Sequence, residues 1–462
     1  MRQLTSLDAQ FLAMETARTY GHVGGFAVHD PTTAPGGALT RADLCRLVGE
    51  RIHLLPPFRW KLATVPLGLD HPYWVEDSDF DLDFHVRETA VPPPGGARQL
   101  GDQIARIAAR PLDRSRPLWE LYLIHGLEGG KVGILTKIHH AAVDGMSGAE
   151  ILSILLDSSP AGREVPPPDR DCGESMPSQI EMLGRGLLGA PRQPLRALRA
   201  LPGVLPGLGD VPVASSLPGA GLVSGMATRV ARGSRDGGVL EQRVAQAPRT
   251  RFNGRISPHR RFAFGSLSLD KAKAIKNELG IKLNDVVMAL CATALREWML
   301  ERDELPRDPL VAMVPVSVRS DDERGSFGNR VSTMIVPLPT NEPNPRTRLM
   351  LVHDSMRVAK ERHNALPANL MQDATQFIPP ALMSRASRVV AELAEVARPP
   401  LNVIISNVPG PRDPLYLAGA ELIANYPVSV ITDGAGLNIT VLSYRDHLDF
   451  GIVVDREQMD DA

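Results

Sequence analysis

Cysteine is scarce in this chain: Cys45, Cys172 and Cys291 are the three in 462 residues. Their odd number and wide spacing exclude a disulfide framework and a cysteine-rich zinc cluster, and they fit a reducing compartment. Long apolar runs are missing too. No stretch reaches the ~18 to 20 apolar residues of a membrane span, and the charge-free piece at 211–228 is interrupted by proline and glycine. Neither charge dominates: 51 Lys and Arg against 53 Asp and Glu leave a formal charge of −2, which offers no basic surface for nucleic acid. Asp8 stands where a secretory signal needs an apolar core. These absences predict a cytoplasmic protein, soluble or peripheral to a membrane.

What is present is an ordinary globular composition, 43% hydrophobic and 23% charged, with length enough for two sizeable domains. Forty glycines and forty prolines add many turns. Within residues 1–160, "HVGGFAVHD" (22–30) and "KVGILTKIH" (131–139) have strand character, while 39–55 and 97–112 carry apolar residues at helical spacing. A second structured part opens near Arg260, and its first helix is expected to stop at Gly280, a good left-handed cap. Further strands are predicted at 310–318, 331–339, 401–408 and 447–455. The last alternates, with Leu448, Phe450, Ile452 and Val454 on one face. The partition is therefore 1–160, a crossover over 161–258, and 259–462.

The crossover changes character. Residues 182–209 hold four arginines (Arg185, Arg192, Arg196, Arg199) and no acid among leucines and glycines. This reads either as a flexible linker or as a broken basic amphipathic element resting on a lipid surface. Gly184, Gly186 and Gly189 have the G-x-G-x-x-G spacing, but no strand precedes them and Pro191 follows, so a dinucleotide site is rejected. A phosphate-binding G-x-x-x-x-G-K-[ST] loop and a G-x-S-x-G nucleophile elbow are both missing.

The chemistry concentrates in "KIHHAAVDGMSGAEIL" (137–152). Three readings compete for His139 and His140. Adjacent histidines on a strand point to opposite faces, which argues against joint metal ligation. A core histidine does not account for Gly145 directly after Asp144, where backbone freedom is called for. In the third reading His140, at the strand's end, is a general base, since a neutral imidazole accepts a hydroxyl proton near neutral pH. Asp144 then fixes the turn, and Ser147 with Glu150 forms the capping box of the next helix, whose Ile151, Leu152, Ile154 and Leu155 face a core.

"HHAAVDG" matches H-H-x-x-x-D-G, the motif of the acyltransferase superfamily that includes chloramphenicol acetyltransferase-like enzymes and peptide-synthetase condensation domains. Further segments, in order along the chain, are "LTSLDAQFLAME" (4–15), "HVGGFAV" (22–28), "RPLWELYLI" (116–124), "LNDVVMAL" (283–290), "VPVSVRS" with "FGNRVS" (314–332), and "SNVPGPRDPL" (406–415). Together they resemble the bacterial wax ester synthase/diacylglycerol acyltransferase family, most closely its actinobacterial triacylglycerol synthases. Gly21 departs from the methionine usual before "HVG", and the chain ends at Ala462, where the family usually continues into a final helix.

The resemblance implies an α/β fold of two chloramphenicol acetyltransferase-like domains, each a mixed sheet flanked by helices, with an active-site tunnel between them. It implies acyl transfer from acyl-CoA to a lipid alcohol, diacylglycerol or a long-chain fatty alcohol, by His140 without an acyl-enzyme. It implies no metal, no prosthetic group and no carrier protein, and a place on the membrane or lipid-droplet surface. His139, Asp144, Gly145, Asn284 and Asp285 are the supporting residues. Pro117, Leu118, Trp119, Ser406, Asn407, Pro409 and Gly410 are channel candidates. Trp119 can equally be a packing residue, Asn284 an N-cap with Asp285 in the first turn, and the Pro-Gly-Pro of 409–411 a plain turn. The alternatives are a condensation-type or polyketide-ester acyltransferase and a non-catalytic lipid carrier.

Overall fold

Three β-sheets organise the chain, which a computed structural model describes over residues 1–143, 148–167, 176–189, 247–317, 331–365, 399–459 and 461. The first half holds β1 (Arg2–Gln3), α1 (Ser6–Ala13), β2 (His22–Asp30), α2 (Arg41–Arg51), β3 (Trp60–Ala63) and β4 (Tyr73–Glu76). It continues with α3 (Leu82–His85), β5 (Val86–Ala90), α4 (Ala97–Ala108), β6 (Trp119–His125), β7 (Val132–His139) and α5 (Gly148–Leu155). After α6 (Gln179–Gly189) the second half begins with β8 (Arg260–Ser268), α7 (Leu269–Leu279), α8 (Leu283–Leu300), β9 (Leu310–Ser317) and β10 (Val331–Leu338). It ends with α9 (Pro345–Ala365), β11 (Val403–Val408), β12 (Tyr416–Leu417), β13 (Ala420–Val428), β14 (Leu437–Tyr444) and β15 (His447–Asp455).

Local chemistry starts the helices where expected. Thr40 caps α2 and Asp43 answers it in a capping box, which aims Leu44, Leu47 and Val48 into the core. α7 closes at Gly280 in the left-handed region, φ 66°, with its N–H on the Lys276 carbonyl. The helical pattern over 97–112 stops at Ala108, and that over 39–55 at Arg51, beyond which the chain tightens into a 3-10 turn. The chance G-x-G-x-x-G glycines fall within α6, not on a phosphate-binding loop.

One six-stranded sheet has the order β12-β13-β2-β7-β6-β5, and the other β10-β9-β11-β14-β15-β8. Both are mixed: β5 runs parallel to β6, and β11 parallel to β9 and β14, among antiparallel neighbours. The first sheet contains strands from both ends of the chain. Residues of the second half leave their own sheet after β11, and β13 pairs with β2 from Glu421↔Asp30 to Val428↔Gly24. The partition at residue 259 makes no provision for this exchange. It is secured by the Asp157–Tyr416 backbone pair (2.8 Å each way) and by the Tyr444 hydroxyl, which donates to the Leu422 carbonyl at 3.0 Å.

The core divides accordingly. One apolar cluster lies between the first sheet and α2, a second between the other sheet and α8 and α9. A third joins the halves: Leu100, Ile104 and Ile107 of α4 meet Phe26, Phe262 and Val453. Gly101 is what lets α4 approach so closely, since a Cβ there would lie 2.3 Å from the Phe262 carbonyl oxygen. β15 therefore does more than its alternation shows. Leu448 and Val454 face the second cluster as expected, while Val453 on the opposite face is covered by the third.

Candidate active site

β7 ends at His139, and His140 follows it at a break in the sheet. His139 donates its backbone N–H to Leu118 (2.9 Å), His140 donates its own to the Gly21 carbonyl (2.7 Å), and the chain then tightens into a 3-10 turn over His140–Val143. The His140 ring is half-buried and stacks on Phe11 of α1, centroids 4.0 Å apart and planes 18° from parallel. His139 is 1% exposed. Asp144, Gly145 and Ser147 lie outside the described residues.

A buried polar group surrounds His139. Its Nδ1 accepts the Ala141 N–H at 3.0 Å, so the ring proton belongs on Nε2, which faces Glu15 Oε1 at 3.1 Å. Glu15 also accepts the Gly21 N–H (2.9 Å) and pairs with Arg114 (2.7 Å). Burial alone would raise the Glu15 carboxyl, but His139, Arg114 and the Gly21 N–H beside it hold it at about 2. His22 sits 3.6 Å from the same oxygen, and burial, with the nearby Lys137 cation, lowers it to about 3. Lys137 is itself lowered to about 8 by burial, against the pull of Glu120. Among the described residues, no group of three His, Cys, Asp or Glu side chains has the geometry to hold a metal ion.

The channel candidates separate. Leu118 and Trp119 are buried, at 0% and 2% exposure. The Trp119 indole N–H donates to the Phe58 carbonyl (2.8 Å), and the ring stacks on Phe58 and His85 at 4.6 and 4.5 Å. Pro117 accepts the Trp119 N–H at 2.9 Å. This segment is a packed wall whose Leu118 carbonyl holds the end of β7. In the second half, Asn407 on β11 donates to Asn284 Oδ1 on α8 at 3.1 Å, so two segments far apart in sequence meet. Ser406 is half-buried beside Asn407, Pro409 is exposed, and Gly410 donates its N–H to Ser443 Oγ at 3.1 Å.

Asn284 is not the N-cap of α8. The cap is Lys282, because the buried Asp285 carboxylate accepts the Lys282 N–H (3.0 Å) and draws the helix start back by two residues. The same carboxylate takes His353 Nδ1 at 2.7 Å. Glu15, Phe11, Arg114 and His353 escaped sequence reasoning. For Glu15 a signal was available: an acid just past the C-terminal end of a helix sits against the carbonyl end of the dipole and needs a partner.

Residues 4–287 match the wax ester synthase/diacylglycerol acyltransferase catalytic domain, and 327–462 the WS/DGAT C-terminal domain. The chain is 36% identical over 449 residues to the Mycobacterium tuberculosis protein described as probable diacylglycerol O-acyltransferase tgs2, covering 96% of this chain and 92% of that one. It is 33% identical over 470 residues to the O-acyltransferase WSD of Acinetobacter baylyi, covering 99% and 93%. Among solved structures, the wax ester synthase/diacylglycerol acyltransferase of Marinobacter aquaeolei VT8 superposes with a TM-score of 0.69 at 29% identity, over 99% of this chain and 94% of that one. The first condensation domain of the CDA synthetase, at 15% identity and a TM-score of 0.50, shares the fold.

Proposed function

This chain belongs to the wax ester synthase/diacylglycerol acyltransferase family, and from that premise we propose that it moves a fatty acyl group from acyl-CoA to the hydroxyl of a diacylglycerol or a long-chain alcohol, with His140 as the general base. The observation that carries the assignment is the placement of His140. Its backbone is pinned to Gly21 at the break of β7, and its ring is half-buried and braced by Phe11, whereas His139 is committed to Glu15.

In the proposed reaction the neutral His140 ring takes the hydroxyl proton as the oxygen attacks the thioester carbonyl. The tetrahedral oxyanion collapses, the C–S bond breaks, and the imidazolium returns the proton to the departing thiolate. Proton transfer of this kind supplies about 10²–10⁴ in rate. The oxyanion needs a positioned donor. Asn284 suits that role, because Asn407 occupies its Oδ1 and leaves the amide N–H groups to donate elsewhere. Asp285 orders the start of α8 beneath it. Acyl-CoA is a substrate here, and no step draws on a metal or prosthetic group. The two substrates would meet in a tunnel between the halves.

Lipid substrates place the reaction at a membrane or droplet surface. No helix among the described residues is long and apolar enough to cross a membrane, so docking is peripheral in this reading. Of the segment 182–209, the part up to Gly189 belongs to α6, where Met182 is buried and Arg185 pairs with Glu181 at 3.0 Å; Arg192, Arg196 and Arg199 lie outside the described residues. The decisive assay incubates purified protein with labelled palmitoyl-CoA and, separately, dioleoylglycerol or hexadecanol. Labelled triacylglycerol or wax ester supports the reading; acyl-CoA left unconsumed with both acceptors refutes it.

A further inference from the structure

Glu15 is a half-buried carboxylate, its side chain 12% exposed, at the wrong end of a helix for an acid, and its hydrogen bonds lead toward His140. One oxygen accepts the Gly21 N–H at 2.9 Å, and the Gly21 carbonyl in turn accepts the His140 N–H at 2.7 Å. The same oxygen faces His139 Nε2 at 3.1 Å, while His139 Nδ1 accepts the N–H of Ala141. The residues on either side of His140 are thus tied to one carboxylate, His139 by its ring and Ala141 through that ring. Arg114 closes the arrangement by pairing with the second oxygen at 2.7 Å and with the Leu12 carbonyl at 2.8 Å. That contact fixes the end of α1, the helix whose Phe11 lies against the His140 ring.

We propose that Glu15 is the positioning residue of this acyl transfer: by holding His139 as the Nε2–H tautomer and anchoring Gly21, it sets the place and tilt of the His140 imidazole. The opposite tautomer would set two N–H donors, those of His139 Nδ1 and Ala141, against each other and leave the carboxylate facing a bare nitrogen. Gly21 belongs to the same device. A Cβ at that position would lie 3.0 Å from His139 Nε2 and 3.2 Å from Cε1, on the ring edge that meets Glu15. The bare backbone leaves that edge room to approach the carboxylate.

The proposal rests on His140 being the base, and the experiment separates the two. Glu15→Gln keeps the shape and removes the charge. Its kcat should fall about 10- to 100-fold, the cost of a misplaced catalytic group, with KM for palmitoyl-CoA and dioleoylglycerol unchanged. In the parent protein, labelled with ¹⁵N-histidine at neutral pH, the His139 signals, identified by their loss in His139→Gln, should be those of the Nε2–H tautomer. A parental kcat in a folded Glu15→Gln enzyme, or an Nδ1–H or rapidly exchanging His139 ring in the parent, overturns the proposal. Should Glu15→Gln fail to fold, the tautomer measurement on the parent decides. Activity retained in His140→Ala refutes the base instead, whereas an inactive His140→Ala beside a fully active Glu15→Gln refutes the positioning role alone.

Discussion

The two large sheets end in different chemistry. Where β7 of the first sheet stops, the polar groups are titratable: His139, His140, Glu15 and His22, with Lys137 and Glu120, 3.6 Å apart, nearby. Where β11 of the second sheet stops against α8, two neutral amides meet, Asn407 and Asn284. An amide offers a fixed dipole and exchanges no proton near neutral pH, while an imidazole does. In the proposed reaction the first half moves the proton and the second holds the charge that appears for a moment. Burying charged groups is costly unless they are paired, and the first half bears that cost around a single strand end.

This division can be broken from either side. The largest effect belongs to His140→Ala, which should lower acyl transfer by about 10²–10⁴ while the melting temperature stays near that of the parent; activity within the parental range would dissolve the contrast between the halves. Next comes Asn284→Ala. If its amide meets the oxyanion, kcat should drop by about 10²-fold, and Asn407→Ala should cost less because it acts by orienting Asn284. A loss confined to KM in both variants would make the pair a binding feature. His139→Ala sharpens the comparison within the first half. It leaves the half-buried Glu15 carboxylate without its imidazole, so its melting temperature should fall further than that of His140→Ala in thermal denaturation.

The smallest expected effect is on pH dependence. Burial lowers His29 of β2 to about 4 and His22 to about 3, against 6.5 for a free imidazole. Between pH 6.5 and 4 the unfolded chain therefore binds more protons than the native one, and stability falls as pH falls. Melting temperature should decline from pH 7 to 5, and His29→Phe should flatten that decline; an unchanged slope would place the effect elsewhere. In the second half Asp449 works in the opposite direction. Burial holds its carboxyl above 3.8, so its contribution is present at low pH and fades as pH rises through the raised value.

The strands at 22–30 and 447–455 were legible to the residue, the second because a period-two pattern bounded by turn residues has few rivals. The end of α7 was legible in Gly280, and the motif histidines in their place at the end of a β-rich run. What escaped depended on distance in the chain. The cap of α8 went to Lys282 because Asp285 reached back three residues, a choice that an asparagine in the neighbouring position concealed. Trp119 reads alike as wall or channel until Phe58, Phe80 and His85 are seen stacked beside it. Glu15 shows its role only when Gly21, Arg114 and His139 converge on it. No local pattern announces that β13 belongs to the sheet of β2.

That last feature carries a consequence for how the protein is made. Glu421, at the start of β13, donates its backbone N–H to Thr33, 388 residues earlier. At about 5–20 residues per second on the ribosome, roughly 20 to 80 s separate the emergence of β2 from that of the strand that covers its edge. For that interval β2 offers an open row of N–H and C=O groups to any passing strand. A gene cut between the halves would make the vacancy permanent. The two fragments would need to be produced together, and the earlier one shielded by a chaperone, before either could be expected to remain in solution.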